Sequence, residues 1–276
     1  MRAGILLAPA YLWLTVAIFL PLSAMLFFSF LSAAPFTNAE WHVTAANYSE
    51  FLARSIYPDL LGRSLLLAAT VTIFCVLIGF PCAYILARHV KGRAREALFL
   101  LIILPFWSNS LVRIFSWAIV LRGNGIIDHA LAAILPFEVS VNLMFTYTAV
   151  VIGLVHSYLP YVILTSYLAL QAIDESILEA ARSLGAPFRT IFLRLILPLS
   201  LPGLAAGAVL IFVPVAGSFM EPRILGGKHG TFYGTLIEDQ FVAVFNWPLG
   251  AALSFILLAV VLVILLAASP VLRKAR

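Results

Sequence analysis

Few residues in this chain could do chemistry. A charged stretch at 171–198 holds Glu179-Ala180-Ala181, then Gly185, then Leu195, Leu197 and Pro198. These types suit recognition rather than bond making. Small side chains beside a carboxylate let another surface approach closely, and glycine permits a sharp turn. A second set, Pro105, Trp107, Ser108, Asn109 and Arg113, sits in a run that is otherwise uncharged. Proline there frees backbone groups that need partners, so Trp107, Ser108 and Asn109 either satisfy a local kink or face a solute. Arg113 either pairs or snorkels as a structural residue, or lies on a pathway. Enzyme signatures are missing. There is no GxxxxGK[ST] loop and no HExxH, and the five histidines, at 42, 89, 129, 156 and 229, lack metal-ligand spacing. Cys75 and Cys82, seven residues apart on one helix, would have Cα atoms about 10.5 Å apart, too far for a disulfide.

The elements that must carry these residues follow from composition. Of 276 residues, 63% are hydrophobic and 11% charged, where a soluble domain has about a quarter charged. Soluble enzymes and disordered chains are excluded, which leaves a polytopic membrane protein. Charge disappears over Ile5–Phe30, Ser64–Ala87, Leu98–Leu121, Leu143–Leu170, Leu199–Met220 and Leu249–Val271, apart from Arg113. Each run is long enough to span hydrocarbon, and none shows the short alternating segments of a barrel. The expectation is an all-α integral membrane protein, one domain over 1–276 with six transmembrane helices. The first run is far longer than a signal-peptide core and reads as a retained helix despite Ser32, Ala33 and Ala34 after it.

Orientation follows from the basic residues. Arg2, Arg88, Lys91, Arg93, Arg95, Arg182, Arg189, Arg194, Arg273, Lys274 and Arg276 fall on one side; Arg54, Arg63, Arg122, Arg223 and Lys228 fall on the other. The positive-inside bias puts both termini and the 171–198 loop in the cytoplasm. The Arg88–Arg95 cluster reads as a headgroup anchor to membrane lipid. The net charge of +5 is thus a topology signal, and no basic stripe points to nucleic acid. No span carries a pair of acids, or an acid with a histidine, so a secondary transporter with its own ion path is poorly supported. The outer acids Asp59, Asp128, Glu138, Glu221, Glu238 and Asp239 could attract cations. Gly203 and Gly207 form a GxxxG pair, which favours close helix packing.

The cytoplasmic loop encodes a helical hairpin. Asp174 suits an N-cap, and Ile177, Ala180, Ala181 and Leu184 make one apolar face. Gly185 suits a left-handed stop, and Pro187 the first position of a second helix carrying Phe188, Ile191 and Leu195 on one side. Pro198 is expected to end that helix before the membrane. Two covers fit the apolar face: the bundle's own ends or lipid, and the groove of a partner.

The spacing Glu179-Ala180-Ala181, three residues, Gly185, nine residues, then Leu195-x-Leu197-Pro198 resembles the EAA motif of permease subunits of ATP-binding-cassette importers. Leu195 stands where isoleucine is usual. Pro105-Phe-Trp-Ser-Asn-Ser-Leu-Val-Arg113, Ser200-Leu-Pro-Gly-Leu-Ala-Ala-Gly207 and Leu236-Ile-Glu-Asp-Gln-Phe241 resemble the spermidine/putrescine type. The resemblance implies half of a translocation pore in a bacterial inner membrane, paired with a second homologous permease, two copies of an ATPase subunit and a periplasmic solute-binding protein. It makes Glu179, Ala180, Ala181, Gly185 and Pro198 the ATPase-coupling residues. ATP and Mg would belong to the partner ATPase, with no cofactor on this chain. The solute would be a polyamine, or another small solute such as an opine, an amino-acid-like compound or a metal. Under the polyamine reading Trp107, Asn109, Arg113 and Glu221 are pathway candidates, Trp107 by cation–π attraction. An unpaired Arg113 would repel a polycation, which calls for a nearby acid, Glu221 being the candidate.

Overall fold

The structure, a computed structural model, describes residues 2–36, 40–123, 125–126 and 142–273. Asp128, Glu138, His129, Lys274 and Arg276 lie outside them. The helices are α1 (Arg2–Ser29), α2 (Ala46–Ala53), α3 (Ile56–Arg88), α4 (Gly92–Ile103), α5 (Ser110–Leu121), α6 (Tyr147–Gln171), α7 (Glu175–Ser183), α8 (Phe188–Ile191), α9 (Leu197–Ala216), α10 (Met220–Leu225), α11 (Tyr233–Val242) and α12 (Trp247–Arg273). Among the described residues extended pairing is limited to an isolated bridge, Leu31 with Val43. Among the described residues five helical stretches are long and apolar enough to cross a membrane, and a sixth joins them when the bent pair of α4 and α5 counts as one.

Contacts divide the chain into two compact units, Met1–Leu61 with Leu236–Val260, and Gly62–Thr235 with Val261–Arg276. In the first, α1 leaves Tyr11, Leu12, Trp13, Phe19 and Leu20 exposed, as an apolar helix facing lipid or another subunit does. Its C-terminal end is tied down. Buried Asn47 donates from Nδ2 to the Ser29 and Leu31 carbonyls, both at 2.9 Å. The Trp247 ring gathers Phe36 at 4.8 Å and Phe241 at 5.8 Å between centroids.

The second unit is built on α6 and α9. Both elements of the GxxxG pair lie at their crossing. A Cβ on Gly203 would overlap that of Ala169 and stand 2.7 Å from the Thr165 carbonyl oxygen, and one on Gly207 would overlap Thr165 Oγ1. Only hydrogen fits there, so the backbones approach closely. Within this unit, buried Tyr233 donates its N–H to Ser64 Oγ at 2.8 Å.

Two spans differ from the sequence expectation. The run Leu98–Leu121 is not one helix. α4 continues as a 3-10 turn through Leu104–Trp107, the chain bends by 98°, and α5 starts afresh at Ser110. Pro105 cannot donate to the ladder and Asn109 caps α5, so the run breaks between them. At Pro198 the expectation was a stop, yet the helix runs on from Phe188 to Ala216. A π-helical segment, Phe192–Ile196, comes first, and Leu197 N–H bonds five residues back to the Phe192 carbonyl. That wider step accommodates the proline in the first turn of α9.

Candidate coupling hairpin and pathway residues

The hairpin is set by its caps. Asp174 is the N-cap of α7, and its carboxylate accepts from the Ser176 N–H at 3.0 Å. That bond holds the Asp174 carboxyl below its ordinary value of 3.8. At the other end Gly185 has φ +76°. Gly185 N–H donates to the Arg182 carbonyl at 2.9 Å and Ala186 N–H to the Ala181 carbonyl at 3.1 Å, which is a Schellman closure. Pro187 is the N-cap of α8, one position before the expected first helical place.

The register of α7 is off by one residue from the sequence reading. Leu178, 1% exposed, is the side chain driven into the protein, while Ile177, Ala180 and Leu184 are exposed. Leu184 is 88% and Phe188 64% exposed, and Glu179 stands beside them in solvent. The apolar face is real, but none of the described residues covers it. Glu179, Ala180, Gly185, Leu184 and Phe188 form an open surface at the turn, and Ala181 is half-buried. Pro198 is not part of it: it lies beyond the π segment, at the head of α9. It shapes how the hairpin joins the span.

Arg88 has a place no local pattern announced. Its Nη1 donates to Glu175 Oε2 at 2.6 Å, and its Nη2 to the Leu170 and Ile173 carbonyls at 2.8 and 3.1 Å. Arg182 reaches the other Glu175 oxygen at 3.3 Å. The reading of Arg88 as a headgroup anchor is therefore corrected. It closes the end of α6 and holds the first turn of α7. The partners are 82 to 87 residues away, so sequence spacing carried no signal.

The pathway candidates are spread around the break. Asn109 Oδ1 accepts from the Leu111 N–H at 2.8 Å as the α5 cap. Pro105's carbonyl accepts from Ser108 Oγ at 2.8 Å and from Arg113 Nη1 at 3.0 Å. Arg113 thus braces the bend, while its buried Nε has no partner among the described residues. Glu221 accepts from Ser218 Oγ at 3.1 Å. The two are not within ion-pairing distance of each other, although Tyr158 on α6 lies within electrostatic reach of both. Trp107 is 90% exposed at the break. Among the described residues, no cluster of three or more metal-ligating side chains occurs.

Residues 79–272 match the family described as "Binding-protein-dependent transport system inner membrane component". The chain belongs to this family. It is a permease subunit of an ATP-binding-cassette importer, an inner-membrane transport component rather than an enzyme. This permease is similar to the spermidine/putrescine transport system permease protein PotB of Escherichia coli (strain K12), 35% identical over 254 residues, covering 92% of each chain. It resembles the protein of the same name from Haemophilus influenzae to the same degree, 35% over 250 residues, with 91% of this chain and 87% of that one covered. The fold matches a bacterial alginate ABC transporter in complex with alginate pentasaccharide-bound periplasmic protein, with a TM-score of 0.80 at 15% identity, over 99% of this permease and 94% of that chain.

Proposed function

We propose that this permease forms half of the pore of a polyamine importer, with both termini in the cytoplasm and one transport domain over its length. A second homologous permease completes the pore, two copies of an ATPase subunit supply the work, and a periplasmic binding protein delivers spermidine or putrescine. The observation that carries the solute class is the 35% identity to PotB over 92% of the chain. The exposed face of Glu179, Ala180, Leu184 and Phe188 supports docking of the ATPase there. Glu179 would meet polar groups, Ala180 and Ala181 would permit close approach, and Gly185 would fix the turn. Because α8 runs through the π segment into α9, displacement at the turn passes along one continuous helix into the membrane, and the spans rock as bodies. ATP and Mg belong to the ATPase subunits.

Along the pathway, Trp107 offers an open ring face to a cation, and Glu221 offers the carboxylate. Asn109 and Arg113 act on the solute through the bend they brace. The test is ATP-driven uptake into vesicles carrying the complex purified through this chain. Labelled spermidine or putrescine should enter only with binding protein outside and ATP on the ATPase side. Trp107→Ala and Glu221→Gln should raise KM for spermidine. Absence of polyamine uptake, with ATP-driven uptake of molybdate or an amino acid instead, would overturn the solute class.

A further inference from the structure

Both legs of the hairpin touch α3, by different chemistry. The second leg does so through rings: Phe192 meets Tyr84 at 5.6 Å and Phe80 at 6.2 Å between centroids. The first leg has little packing to hold it. Between it and α3 lies a cavity of about 250 Å³ bordered by Arg88, Glu175, Leu178, Arg182, Phe188 and Ile191. Leu178 is the apolar plug, and the remaining attachment is polar. Arg88, with its side chain 14% exposed, supplies it. One planar guanidinium reaches a carboxylate on α7, the last-turn Leu170 carbonyl of α6 and the Ile173 carbonyl between them. A lysine ammonium is a compact point charge on a flexible stem and lacks the rigid fork that serves all three acceptors at once.

We propose that Arg88 is the positioning residue that clamps the first leg of the hairpin to α3 and α6, so that displacement imposed at the turn is shared by α3, α6 and α9 rather than by α9 alone. This rests on the coupling role proposed for the hairpin. Without the clamp, α7 can swing over the cavity while α8 still pulls on α9. The ATPase then turns over without moving the other two helices.

The experiment uses the whole complex purified through this chain and placed in lipid nanodiscs and vesicles. Two quantities are read for wild type, Arg88→Ala and Arg88→Lys: amide exchange across 175–183, and labelled spermidine taken up per ATP hydrolysed. Arg88→Ala should speed α7 exchange several-fold and cut uptake per ATP at least fivefold, with the ATPase subunit still bound and hydrolysis within about twofold of wild type. Arg88→Lys should fall between, on both readouts. Wild-type exchange across α7, or unchanged uptake per ATP in Arg88→Ala, would overturn the clamp. Glu179→Arg separates the two readings: if it leaves docking and uptake intact, the hairpin's coupling role is what fails, whereas loss with Glu179→Arg and none with Arg88→Ala refutes the clamp alone.

Discussion

Gly185→Ala isolates the turn of the hairpin from everything around it. The residue sits at φ +76°, and a Cβ built there meets nothing within 4 Å, so the substitution adds no clash. What remains is the cost of a left-handed L-residue, about 1–2 kcal/mol. Alanine also restricts the unfolded turn, which offsets about 0.4–1 kcal/mol. Taking the middle of each range, about 1.5 less about 0.7, leaves a net loss of roughly 0.8 kcal/mol, a shift of about fourfold in the closed-to-open ratio of the turn. Two amides report on it directly, Gly185 N–H on the Arg182 carbonyl and Ala186 N–H on the Ala181 carbonyl. Their exchange in the permease in nanodiscs should accelerate by that factor. Gly185→Asn, which tolerates the left-handed region better, should accelerate it less, and Gly185→Val more. Exchange unchanged in Gly185→Ala, or the same in Asn and Val variants, would refute the reasoning that backbone conformation alone sets this turn.

Gly203→Ala should lower thermal stability in detergent by about 1–3 kcal/mol through overpacking against Ala169 and the Thr165 carbonyl; Gly62→Ala, where a Cβ meets nothing within 4 Å, should be neutral or stabilising by up to about 1 kcal/mol. Equal melting points for the two variants would contradict the packing account. Arg113→Ala should destabilise by about 1.5–3 kcal/mol, the worth of a charged donor on the Pro105 carbonyl, with Ser108 still in place; an unchanged melting temperature would remove Arg113 as the brace. Asp174 has a folded-state value below its unfolded one because it accepts from Ser176, so its contribution is present above about pH 4 and is lost as pH falls through the lowered value. Amide exchange at Ser176, corrected for its intrinsic pH dependence, should lose protection on acidification in wild type and not in Asp174→Asn, which caps without a charge.

The spans were legible because lipid demands long uncharged runs, and the hairpin ends because caps are local: Asp174 and Gly185 hold the places their types predict. The GxxxG pair was legible for the same reason, since small residues four apart on one helix have few uses in lipid. The break at 104–109 was harder, because hydropathy reports burial and not direction; Pro105 with an Asn109 cap four residues on was the available signal. The π segment before Pro198 left no mark, since it depends on hydrogen-bond step rather than side-chain type. The register of α7 slipped because Ile177 and Leu178 are equally apolar, and only the position of the surrounding helices decides which is buried. Arg88 lay beyond sequence reasoning altogether. So did Phe145 and Phe245, which take positive φ just before the Thr146 and Asn246 caps.

Transport by this permease, as proposed, needs an external motor to grip the exposed face at the hairpin turn. The most direct test is recovery of the ATPase subunit with the tagged permease carrying Leu184→Asp and Glu179→Arg, compared with Glu96→Arg elsewhere on the side assigned to the cytoplasm. The ATPase and ATP-driven uptake should be lost together in the hairpin variant and kept in the control. Full recovery of the ATPase with the hairpin variant, and uptake at the wild-type rate, would contradict the need for that grip.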